Sequence, residues 1–120
     1  MNAILSIRPQ FVEEIFSGSK KFEYRKNIFK RPVEKVYIYA SAPVSRVVGE
    51  FEVAEILEST PKQIWQRTKR WSGIKKEWFD AYYQGRATAY AIEIKNLKLY
   101  DKPKALPFHA PQSFRYIESL

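Results

Sequence analysis

Cysteine is absent from the chain, and histidine and methionine each occur once among its 120 residues. Without cysteine there is no disulfide, no thiolate nucleophile and no Cys-based zinc site, and one histidine excludes an HExxH metalloenzyme. Any serine–histidine catalysis would have to use His109 alone. Long apolar runs are also missing. No stretch approaches the roughly 18 apolar residues that mark a membrane span. The opening apolar patch around Ile4, Leu5 and Ile7 is too short for a signal segment, and Arg8 follows it where a basic region should precede. The expected protein is soluble, intracellular and most simply cytoplasmic, with no membrane partner.

What the chain has in excess is positive charge and aromatic surface. Its 21 Lys and Arg against 13 Asp and Glu give a net charge of +8, and 45% hydrophobic with 16% aromatic residues is too rich in core formers for a disordered tail. The length suits one domain over residues 1–120 that buries roughly 65% of its unfolded surface without staples. A basic field concentrates polyanions and fixes nothing about fold, which makes RNA or DNA the leading partner. The charge is uneven. Seven Lys or Arg fall between Lys20 and Lys35 against Glu23 and Glu34, and six fall between Ser59 and Lys76 with no acid. Trp65, Trp71 and Trp78 sit in or beside the second segment. Trp71, Trp78 and Tyr82 are spaced as the core face of a helix; the alternative is a stacking surface for bases.

The chain alternates between strand and helix signals. Ala3–Ile7 reads as a strand, and Pro9 opens a helix with Phe11, Val12, Ile15 and Phe16 at helical spacing, stopped by Gly18. Lys21 to Arg25 then alternates strictly, which sends Phe22 and Tyr24 inward and Lys21, Glu23 and Arg25 outward. Lys35 to Ala40 is a β-branched and aromatic strand in which Tyr37 and Tyr39 share a face, and Arg46 to Leu57 is a long strand whose Gly49 marks a bulge or bend. Thr60-Pro61 caps a helix through about Arg70, and a second runs from Lys75 to Gln84. Ala87 to Leu99 is another long strand, turn signals follow at Asp101-Lys102-Pro103, and Ser113 to Ile117 can close a sheet. The sum is an α+β domain: a small mixed or antiparallel barrel of five or six strands with an early helix and a helical insertion.

The segment richest in chemistry is Gly18-Ser19-Lys20-Lys21-Phe22-Glu23-Tyr24-Arg25. Lysine offers a point charge, arginine a fork for phosphate or a base edge, and glutamate an acceptor for an exocyclic amine. The plainer reading is a surface ladder of ion pairs contributing under about 1 kcal/mol. Lys20, at the strand entrance, is expected to carry little packing. No compact carboxylate cluster advertises a metal, and no cofactor is expected.

Gly18, Lys20, Glu23 and Arg25 match the G-x-K-x-x-E-x-R signature of the ASCH domains, a PUA-like β-barrel superfamily. The flanks "LSIRPQFVEEIFSGSKKFEYRK", "VYIYASAPVSRVVGEFEV" and "PQSFRYI" are similar to the family's opening, middle and closing segments in its standalone branch. The resemblance implies a barrel with a cleft that binds RNA or a modified nucleotide. Carried over by position, Lys20, Glu23 and Arg25 line the cleft and Gly18 permits the turn. Lys21 shares the charged strand, and Ser41, Gln112 and Ser113 are candidates for its rim. One branch resembles an N4-acylcytidine amidohydrolase that uses a lysine, a threonine and a glutamate. Lys20 matches the lysine, Glu23 stands where that branch has threonine, and Glu77 is the candidate acid. Other members are ribonucleases. The expected function is therefore RNA or nucleotide binding in a basic cleft. The alternatives are a small hydrolase in the same cleft, with Lys20 and Glu23 catalytic, and a protein-interaction module using Trp65 to Trp78.

Overall fold

The computed structural model describes residues Met1–Leu120. Strand β1 (Asn2–Ile7) leads through Arg8 into helix α1 (Pro9–Ser17), followed by β2 (Phe22–Arg25), β3 (Lys35–Ala40) and the long β4 (Arg46–Ser59). Helix α2 (Pro61–Thr68), a 3-10 turn at Lys69–Trp71 and helix α3 (Lys76–Tyr82) form the insertion, and β5 (Ala89–Lys104) and β6 (Phe114–Ile117) complete the chain. Local chemistry sets the helix boundaries. Pro9 supplies no amide where none is needed, and Gly18 at φ 89° ends α1 in the left-handed conformation that glycine adopts without strain. The Thr60 hydroxyl accepts from the Gln63 amide at the start of α2.

The six strands form one sheet in the order β2-β5-β4-β3-β1-β6. Only β1 and β3 run parallel, joined by the crossover through α1 and β2; the other pairs are antiparallel. In a flat sheet β2 and β1 would lie about 19 Å apart, four strand spacings of roughly 4.8 Å. Yet Arg25 of β2 reaches the Ser6 carbonyl of β1 at 3.5 Å and the Ser113 hydroxyl beside β6 at 2.6 Å. The sheet therefore rolls into an open barrel, with a seam between its two edge strands.

Gly49 shows how the curvature is built. The β3–β4 register slips beside it, and a Cβ there would lie 2.5 Å from the Lys98 carbonyl oxygen and 2.7 Å from the Phe16 ring. Only a residue without a side chain lets β4 bend while α1 and β5 close on it. The main core lies between α1 and the sheet, with Leu5, Ile15, Val36, Ile38 and Phe51 fully buried. A second core, of Tyr24, Leu57, Ile64, Phe79, Tyr83 and Ala91, fixes the insertion over β2 and β5.

Two expectations change here. β5 continues through Asp101-Lys102-Pro103 to Lys104, where turn chemistry predicts an end, because β4 extends far enough to pair with it and register shifts absorb the irregularity. The insertion helices are shorter than expected, and Trp71, Trp78 and Tyr82 do not form a core face. Trp71 lies in the 3-10 turn and is 39% exposed, while Trp78 and Tyr82 are half-buried on α3 and turn toward the barrel seam. Phe79, between them in sequence, takes the core position and is 1% exposed.

Candidate functional site

The rolled sheet brings three chain segments to its seam: the end of β1, the strand β2, and the turn before β6. The insertion roofs them. A cavity of about 350 Å³ opens there, within the roughly 300–1,000 Å³ of small-molecule clefts. Its floor is charged and its wall aromatic.

The floor begins at Lys20. Its backbone pairs with Ser72 as an isolated bridge, and the Lys21 amide donates to the Trp71 carbonyl at 2.9 Å, so the turn after α2 is stitched to the entrance of β2. Gly73 makes this possible: at φ +64° its absent Cβ would stand 2.3 Å from that of Lys20. Lys20 is only 2% exposed. Its ammonium donates to the Ser72 carbonyl at 3.2 Å, stands 3.6 Å from Glu23 Oε1, and lies 4.5 Å from the Tyr24 ring centroid. Burial holds its pKa below the usual lysine range, against the opposing pull of Glu23. The other Glu23 oxygen takes a hydrogen bond of 3.2 Å from Arg25 Nη1, and the Arg25 fork continues to Ser6 and Ser113. One buried carboxylate thus joins two cations, and no buried polar side-chain atom is left without a partner. The Tyr24 hydroxyl bonds Thr68 at 2.7 Å, and Thr68 donates to the Ile64 carbonyl, so the phenol is the donor; burial pushes its pKa up to about 12.

The wall comes from α1 and α3. Trp78 and Tyr82, one helical turn apart, stack at 5.6 Å, and Phe11 meets Trp78 edge-on at 4.8 Å. Arg8 stands 5.7 Å from the Trp78 centroid and Lys26 4.6 Å from that of Tyr82. Such a chamber can hold a flat, partly anionic ligand: planar groups against the rings, anionic groups toward Lys20 and Arg25.

Of the residues singled out in the sequence, Lys20, Glu23, Arg25, Ser41 and Gln112 line the cavity, and Ser113 orients Arg25 from beside it. Lys21 does not: it is exposed and lies 4.0 Å from the Trp71 ring centroid. Gly18 caps α1 away from the cavity. Strict alternation is broken, since Tyr24 lines the site together with its neighbours Glu23 and Arg25. The expected outward charged face is roofed over, and Lys20 carries much packing rather than little. Glu77, the candidate acid, and His109 are both exposed and do not line the cavity. Tyr37 and Tyr39 belong to a separate core cluster with Ile4 and Val47. Trp65 is half-buried against Phe79, at 4.9 Å, and is not a free docking surface. Arg8, Phe11 and Ile74 line the site without having been singled out. Arg8 had one legible signal, its place at the end of a strand beside the segment carrying the signature.

The chain is 28% identical over 120 residues to a large ribosomal subunit protein uL22 of Ureaplasma parvum; the match covers 96% of this chain and spans only 39% of that one. It is also 28% identical over 124 residues to an ASCH domain-containing ribonuclease of Zymomonas mobilis, covering 96% of this chain and 83% of the relative. A crystal structure of ASCH from Zymomonas mobilis shares the fold with a TM-score of 0.89 at 25% identity, over 98% of this chain and 87% of that one. No helix is long and apolar enough to cross a membrane. The ASCH domain family model matches residues 5–101, and the chain accordingly belongs to the ASCH domain family, whose PUA-like fold its open barrel shares.

Proposed function

We propose that this chain binds single-stranded RNA by drawing one nucleotide into the seam cavity. The observation that carries the reading is the buried Lys20–Glu23–Arg25 array at the floor of an aromatic-walled chamber in a protein of net charge +8. The base would lie against Trp78 and Tyr82, Glu23 would accept from an exocyclic amine with a free lone pair, and Arg25 would face a phosphate or a carbonyl edge. Arg8 and Lys26, at the chamber's aromatic edge, add to the field that draws in the strand. Cytoplasmic RNA is the expected pool.

A second reading, cleavage of the bound RNA, is supported by the lowered pKa of Lys20, which brings the amine closer to accepting a proton at neutral pH. The Zymomonas relative bears the name of a ribonuclease. Removal of an acyl group from cytidine has weaker support, because Glu23 replaces that branch's threonine and Glu77 lies outside the cavity.

The test is a titration of the protein with single-stranded RNA and with natural and N4-acylated cytidine nucleosides, following affinity and product mass together. Binding that falls steeply with salt, and weakens roughly tenfold or more in Arg25→Ala, is the expected result. Salt-independent binding would overturn it. RNA fragments that vanish in Lys20→Met would establish the second reading.

A further inference from the structure

Three tryptophans lie in or beside the basic insertion, and two have structural or cavity partners: Trp65 packs on Phe79, and Trp78 walls the seam cavity. The third is unaccounted for. Trp71 is 39% exposed, pairs with no other aromatic ring, and has two cations near its ring, Lys21 at 4.0 Å and Arg70 at 5.4 Å. Arg70 also lines a second cleft of about 530 Å³, which shares Phe11, Ile74 and Trp78 with the seam cavity and whose lining does not itself include Trp71. Arg70 and Lys75 line this cleft. Its one carboxylate, Glu14, is engaged by the Ser19 hydroxyl. The two hollows therefore lie on either side of one shared wall, and the outer hollow carries cations that the inner one does not use.

We propose that this outer cleft and the Trp71 face joined to it by Arg70 form a second nucleotide subsite, in which Trp71 stacks the base next to the one held at the seam while Arg70 and Lys75, from the cleft, face its phosphate. The inference rests on the RNA reading of the seam cavity and deepens it: the ligand is an oligonucleotide strand, not a free nucleoside. An exposed indole with cations over its face is a surface on which a base displaces the cations from the ring and the freed cations meet the phosphate. The Trp71 side chain is separable from the fold, because it is the Trp71 backbone carbonyl, not the ring, that holds the Lys21 amide.

The experiment compares a 5′-mononucleotide with a short single-stranded RNA, titrated against wild type, Trp71→Ala, Trp71→Phe and Arg70→Ala, with thermal unfolding of each. Trp71→Ala should weaken the oligonucleotide on the order of five- to a hundredfold and leave the mononucleotide unchanged, and Trp71→Phe should restore most of the loss. Arg70→Ala should lower the log–log salt slope of oligonucleotide binding by about 0.7. An unchanged oligonucleotide affinity in Trp71→Ala, or equal losses for both ligands, would overturn the second subsite and spare the first. A wild type that binds neither ligand would overturn the RNA reading, and the second subsite with it.

Discussion

The chain builds ion pairs of the same chemical types in two settings. At the seam, Lys20, Glu23 and Arg25 are joined with side chains that are 2%, 8% and 12% exposed, whereas on α3 Lys76 meets Asp80 at 2.6 Å with 59% and 55% exposed. The difference is in what happens when a partner is lost. Water solvates an orphaned surface charge at once, but at the seam the orphaned charge sits among side chains that are at most 12% exposed, where solvation is poor. Glu23→Ala leaves two cations facing each other there, and should destabilise the protein by about 3–5 kcal/mol. Urea unfolding at neutral pH checks it. A loss below about 1 kcal/mol would mean that water already reaches the array and that the two settings are alike.

A pair of glycines sharpens the same contrast. Gly18 and Gly73 both have positive φ, at +89° and +64°, but a Cβ at Gly18 meets nothing within 4 Å while one at Gly73 runs into Lys20. Gly18→Ala should therefore show only backbone strain, about 1 kcal/mol, with ligand binding intact. Gly73→Ala must also displace the Lys20 stem, at about 1–3 kcal/mol of overpacking. It should lower affinity for single-stranded RNA as well, because Lys20 loses its place between Ser72 and Glu23. Equal stability losses with intact binding in both variants would show that the Ser72–Ile74 turn does not hold Lys20.

The elements and the motif of this fold were legible because they are local. Pro9 and Gly18 bound a helix through their own backbone preferences, and Gly49 marks a bend through its missing side chain. Alternation in Lys21 to Arg25 was legible for the same reason, but it describes a strand with one solvated face. Nothing local says that α3 and the turn at Ser72 will fold back over that face, burying Glu23 and exchanging Lys21 for Lys20 as the cation beside it. Trp78 misled for a related cause: helical spacing distinguishes a face from its opposite, yet a core and a cavity wall demand the same apolar ring. The reach of β5 through Pro103 follows from its partner β4, which the residues at 101–103 cannot encode.

Two lysines carry the contrast into pH. Burial lowers the pKa of Lys20, so between that value and 10.5 the unfolded chain holds a proton that the folded chain has released, and the lysine's contribution makes stability rise with pH. Lys35 on β3 is the reverse. Its hydrogen bond to Glu50, at 2.9 Å, raises its pKa, so its contribution is present below 10.5 and lost as pH climbs through the folded value. Burial alone would raise the Glu50 carboxyl, but bonds from Lys35 and Tyr100 outweigh it and hold the pKa below the usual range. Unfolding curves across the alkaline range should give a wild-type minus Lys20→Met difference that grows with pH and a wild-type minus Lys35→Met difference that shrinks. Two differences that both shrink as pH rises would mean that Lys20 is not desolvated.

The smallest effect belongs to the α3 pair, and it needs a cycle to be seen at all. Lys76→Ala removes an i,i+4 ion pair while inserting the best helix former, so the single variant should change stability by under about 0.5 kcal/mol in either direction. Combining it with Asp80→Ala cancels the propensity terms and leaves the coupling, about 0.3–0.5 kcal/mol at low ionic strength. In 1 M salt, where screening acts within about 3 Å, that coupling should vanish. The coupling between Lys20 and Glu23, measured in the same way with Lys20→Met and Glu23→Gln, should survive the salt, because side chains only 2% and 8% exposed are screened much less than surface ones. A seam coupling that decays in parallel with the surface one would place mobile ions beside Glu23 and make the cavity floor part of the solvent.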